Sequence, residues 1–124
     1  SKQSWNLVKK IKEVDKYIRD SNETTIFESH PEIIFQKMKR DKIFTKKKNE
    51  DGIIERRNLL EKNGFNKVFL EKNLSAKDSF YKKDDFIDAC SLFWSANRTI
   101  ASTEIKIPND ILFDSEGIIM QIRV

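Results

Sequence analysis

The stretch FESHPEIIF, from Phe27 to Phe35, places Glu28, the sole histidine His30 and Glu32 within five residues. A second acidic group, Asp84, Asp85 and Asp88, lies in KKDDFIDAC. Carboxylates from a strand end and a helix start are hard oxygen donors of the kind that hold Mg2+ or Mn2+. Such ions can activate a water and stabilise the leaving oxygen in phosphodiester hydrolysis. That chemistry requires the two groups to converge. If they do not, the aspartates serve as caps and dipole partners at a helix N-terminus, and Glu28 is a solvated strand end. His30 suits a general base, a metal ligand or a phosphate contact, and equally a cap-region histidine bonded to nearby backbone. Glu32 suits a first helical turn. Lys46, Lys47 and Lys48 could meet a polyanion or form a solvated loop, and Arg56 and Arg57 would extend a basic patch if their face lies near Glu28.

Other chemistries are excluded. One histidine and one cysteine, sixty residues apart, do not make a zinc set. With no second histidine there is none to serve a serine or cysteine nucleophile in a triad. Only three glycines occur, and neither GxGxxG nor a Walker A pattern is present. Cys90, within IDACSLF, reads as a buried, inert thiol.

These residues must be positioned by one domain spanning 1–124, long enough for a real core. Hydrophobic residues make up 38% and charged residues 35%, but the apolar ones are clustered and periodic, which argues for order. The net charge of +4 permits nucleic-acid contact without requiring it. A lone cysteine allows no internal disulfide and favours a reducing, cytoplasmic setting. No run of membrane-spanning length and no signal peptide is present, so no membrane partner is expected.

Trp5, Val8, Ile11, Val14 and Ile18 recur at helical steps. Thr24 to Glu28 reads as a short strand, and Pro31 starts a helix that runs to about Arg40. A helix from about Gly52 ends at Gly64, and Phe65 to Lys77 is a short helix or a buried turn. The strongest helix of the chain opens at Lys82 to Asp85, with Phe86, Ala89, Cys90, Phe93 and Ile100 as its apolar stripe. Thr103 to Ile107 and Gly117 to Val124 alternate like strands. The fold class is α/β or α+β: short strands around a helix-rich middle. So thin a sheet suggests that further strands come from a second chain or from residues outside this one.

Three motifs then resemble a known family. ESHPE (Glu28 to Glu32), KKNEDGIIERRNLL (Lys47 to Leu60) and DDFIDACSLFWSA (Asp84 to Ala96) resemble the DUF429 family, described as predicted nucleases with a ribonuclease H-like fold. Glu28, His30, Pro31 and Glu32 match its first motif. Lys47, Lys48, Gly52 and Arg56 match the second, with Asn49 where threonine is common. Asp84, Asp85, Asp88 and Ala89 match the third. The resemblance implies that this chain corresponds to the C-terminal part of a ribonuclease H-like fold and acts as a metal-dependent nuclease. Glu28, Asp85 and Asp88 would be catalytic, Glu28 and Asp88 would bind Mg2+ or Mn2+, and His30, Lys47, Lys48 and Arg56 would bind substrate. Members of the family are about twice as long, so the first-strand acid has no counterpart here. The alternatives are an inactive nucleic-acid-binding module and a purely structural remnant, with a homo-oligomer or a missing N-terminal half completing the sheet.

Overall fold

The computed structural model describes residues 2–21, 26–39, 46, 49–76 and 80–124. The elements run α1 (Lys2–Ser21), α2 (Pro31–Lys39), α3 (Glu50–Lys62), α4 (Lys67–Ser75), α5 (Lys83–Ile100), β1 (Lys106–Ile107) and β2 (Ile122–Arg123). The described chain is therefore mostly helical, with a small antiparallel sheet pairing Lys106 with Arg123 and Ile107 with Ile122.

The helix boundaries follow from local chemistry. The His30 carbonyl accepts from the amides of Ile33 (3.0 Å) and Ile34 (3.1 Å), so α2 begins at Pro31, whose missing N–H costs nothing there. Gly64, at φ +100°, reverses the chain after α3, and the Phe65 amide returns to the Leu60 carbonyl at 3.1 Å. The Asn66 side chain caps α4 by accepting from the Phe69 amide at 3.0 Å. That cap resolves the ambiguity of Phe65 to Lys77 in favour of a helix for Lys67–Ser75.

The core lies around α5, which packs against α2, α3 and α4. Phe35, Leu60, Leu70, Ile87 and Cys90 form its centre, bordered by Met38, Ile53, Leu59, Phe65, Leu74 and Phe86. The buried face of α5 differs from the expected stripe. It runs Ile87, Cys90, Ser91 and Ser95, whereas Phe93 and Ile100 are 62% and 83% exposed. Two small hydroxyl residues take inward positions because each has a backbone acceptor there. Ser91 donates to the Asp88 carbonyl (2.8 Å) and Ser95 to the Arg123 carbonyl (3.2 Å).

The two expected C-terminal strands are shorter than their alternation suggested. Between them the Asp114 carboxylate accepts from the Glu116 and Ile118 amides, and Gly117 adopts φ +82°. This side-chain-to-backbone turn competes with ladder pairing. It leaves an isolated bridge between Phe113 and Ile119 beside the Lys106–Ile107 and Ile122–Arg123 strands. The expected strand at Thr24 to Glu28 lies partly outside the described residues. Its described end makes a parallel bridge from Glu28 to Ile122, with the Arg123 amide donating to the Glu28 carbonyl at 2.9 Å.

α1 is helical as its periodicity predicts, but its apolar side is largely uncovered: Trp5, Ile11 and Val14 are each more than half exposed. Arg19 ties it to the C-terminal turn through Glu116 (2.7 Å) and Asp114 (3.5 Å), while also pairing with Asp15 (2.9 Å).

Candidate functional site

The ESHPE segment sits between β2 and the start of α2. Ser29 Oγ donates to the Arg123 carbonyl at 2.5 Å, and Ser95 Oγ on α5 donates to the same oxygen at 3.2 Å. One backbone carbonyl of β2 thus joins the segment that carries Glu28 to the helix that carries the aspartates. The Arg123 guanidinium stacks over the Phe27 ring, 3.4 Å from its centroid, with Nη1 3.5 Å from the nearly buried Glu104 carboxylate. Glu28 and His30 themselves are exposed.

On α5, Asp85 is exposed, whereas Asp84 and Asp88 are half-buried, as the position of Asp88 beside the apolar stripe predicts. Asp88, Ser91 and Ser95 follow at steps of three and four and share one helix face. Seven residues of helix rise about 10 Å, so Asp88 lies two turns along α5 from the point where the Glu28 strand meets it. Among the described residues, no three of His, Cys, Asp and Glu are grouped closely enough to hold a metal ion.

The second motif behaves differently from its sequence reading. Arg56, expected to extend an exposed basic patch, is only 2% exposed. Its Nη2 pairs with Glu32 Oε2 at 2.8 Å, its Nη1 donates to the Gly52 carbonyl at 3.0 Å, and its guanidinium lies 5.6 Å from the Phe35 ring centroid. The aliphatic stem of an arginine can be buried provided the planar head finds acceptors, and here two elements supply them. Arg57 follows another course, bonding Asn58 Oδ1 at 2.6 Å and lying 3.5 Å from Glu71. Lys39 and Glu55 add another ion pair between α2 and α3.

Gly52 explains its own place in the motif. A Cβ there would collide with the Lys46 carbonyl oxygen, lie 2.9 Å from its carbonyl carbon and approach Arg56 Nη1 to 3.2 Å. The Asn49 amide also donates to the Lys46 carbonyl at 2.9 Å. Lys46 is exposed; Lys47 and Lys48 lie outside the described residues.

The three motifs therefore meet around α2. The first is joined to the second through Glu32 and Arg56, and α2 packs along α5, which carries the third. Sequence reasoning missed the Glu32–Arg56 pair. Glu32 carried a sufficient local explanation, and charge alone favours a solvated arginine. The available signal was Arg56 following Gly52 by one helical turn, the spacing at which the arginine reaches back to the glycine carbonyl. Cys90 is buried as expected, and burial pushes its thiol pKa up to about 11.

A family model described as "Protein of unknown function (DUF429)" matches residues 1–111 of the 124. No curated protein and no solved structure matches the chain. No helix among the described residues is long and apolar enough to cross a membrane.

Proposed function

The chain belongs to the DUF429 family, and from that premise we propose that it contributes to metal-dependent phosphodiester hydrolysis on nucleic acid. The observation that carries this reading is the meeting of the three motifs around α2 through the Glu32–Arg56 pair and the Ser29–Arg123–Ser95 junction. Motifs with purely separate structural duties have no reason to be wired to one another. The parallel bridge beside the antiparallel pair supports the finer assignment of a ribonuclease H-like sheet, which further strands from a partner or a preceding segment would complete.

A Mg2+ or Mn2+ ion suits these residues in kind, because Glu28, Asp85 and Asp88 offer only hard oxygens. In number they fall short of a protein-built cage, since no group of three donors occurs among the described residues. Two turns of α5 separate Asp88 from the Glu28 junction, so the carboxylates do not share an ion as they stand, and one held at Asp88 or at Glu28 would depend on water, substrate phosphate and further donors for its remaining ligands, as Mg2+ commonly does. When bound it would supply charge stabilisation and an acidified water. The chain's own part is to orient. His30 stands at the start of α2, where the helix dipole favours a phosphate oxygen, and the Lys46–Lys48 run supplies neutralising charge.

The direct test incubates the protein with labelled single-stranded RNA and DNA in Mg2+ or Mn2+. Cleavage lost in Glu28→Gln and Asp88→Asn, with binding retained, supports the reading. Cleavage unchanged in both variants sinks it. That no three-donor group occurs among the described residues favours one second reading, binding without cleavage. Salt-sensitive binding with no products in either metal would select it.

A further inference from the structure

Arg56 is too deeply buried to touch a polyanion, yet its guanidinium binds Glu32 of the first motif and Gly52 of the second. Glu32 belongs to the first turn of α2, two residues after His30, and Gly52 belongs to the first turn of α3. The Gly52 backbone is in turn pressed against the carbonyl of Lys46, so close that no Cβ fits between them. A continuous path thus runs from Glu32 through Arg56 and Gly52 to the Lys46 backbone. The path ties the Lys46 backbone, which the Asn49 amide also binds at 2.9 Å, to the first turn of α3, and ties that turn through Arg56 and Glu32 to the start of α2.

We propose that the Glu32–Arg56–Gly52 chain is a positioning device that fixes Lys46 beside the start of α2, so that Lys46 and His30 face one phosphate backbone. Arg56 is then a positioning residue and not a substrate contact. The proposal rests on the nucleic-acid reading above for its purpose, but the device itself is testable without it. A bidentate head is required: lysine keeps the charge toward Glu32 but cannot also reach the Gly52 carbonyl in the same fork geometry.

Two measurements on the full chain decide the matter. The first is limited trypsin cleavage of the folded protein at the Lys46–Lys47 bond. Arg56→Lys, Glu32→Gln and Gly52→Ala each raise the rate at that bond roughly tenfold, as expected when a local contact closes a segment. Leu70→Ala is the control, lowering global stability without favouring that bond. Equal rates at Lys46 in the wild type and Arg56→Lys overturn the device.

The second is binding of a single-stranded 20-nucleotide probe at low salt, arranged as a double-mutant cycle. Lys46→Ala weakens binding several-fold in the wild-type background and lowers the salt slope by about one. In the Arg56→Lys background the same substitution has little further effect, because Lys46 is already displaced. Equal losses in both backgrounds mean that Arg56 does not position Lys46, whatever it does for stability. If the wild type does not bind the probe, the nucleic-acid reading fails and the purpose assigned here fails with it. The trypsin rates still decide whether the device exists.

Discussion

Cys90 shows how far a single side chain could be read in advance. Its place among Ile87, Ala89 and Phe93 predicted burial, and it is 6% exposed in the core. Burial disfavours the thiolate, which holds the pKa near 11. The folded value is raised above the unfolded one, so the associated stability is fully present below about pH 8.5 and is lost as pH rises toward 11. The expected outcome is that iodoacetamide labels native Cys90 far more slowly than the unfolded chain at pH 8; equal rates would show that the core is open. Arg56 is the opposite case. A sequence weighs an arginine by its neighbours along the chain, but this one is defined by Glu32, which belongs to another helix. Truncating it as Arg56→Ala strips Glu32 of that partner. Loss of a buried pair costs about 3–5 kcal/mol. Because Glu32 keeps 34% of its side chain in water, the expected loss is less, about 2–3 kcal/mol by urea denaturation.

Among elements, helices were legible where a terminus carries its own chemistry. Pro31 opens α2, Gly64 closes α3, and the acidic DDF turn opens α5. α4 is ambiguous in the sequence because its signal is the single cap Asn66, and Asn66→Ala should lower stability by about 1 kcal/mol. The late strands were overread, because alternation does not reveal that Asp114 will bind the Glu116 and Ile118 amides and curl the chain between them. Those same bonds, first from Ile118 and then from Glu116, hold the Asp114 carboxyl below its usual pKa, with Arg19 adding a smaller effect. A depressed carboxylate stabilises above its unfolded pKa, and its contribution disappears as pH falls through the folded value. The turn and its tether to α1 should therefore loosen on acidification below about pH 4. The Ile118 amide resonance should move with the Asp114 titration, and Asp114→Ala should abolish that movement. A titration midpoint at or above the ordinary aspartate value would contradict the geometry.

For the whole molecule, composition foresaw an ordered chain but not how unevenly it is held together. Periodicity marks which face of a helix is apolar; it does not say whether anything covers that face. α2 to α5 share one core, while α1 lies outside it, with Trp5, Ile11 and Val14 uncovered and the Arg19 ion pairs as its described link to the rest. Helical stability in proteins comes mainly from packing an amphipathic face, and a solvated helix of 20 residues is marginal on propensity alone. Two regimes of opening should follow. Amide hydrogen exchange is expected to be slowest at Ile87, Cys90 and Ser91 in α5, where it reports global unfolding. Through the middle of α1 it should be faster by orders of magnitude. Arg19→Ala, which removes the tether without touching the core, should accelerate α1 further and leave the α5 amides unchanged. If α1 instead exchanges as slowly as α5, its apolar face is covered in solution, and the concentration dependence of that protection will tell whether a second copy covers it.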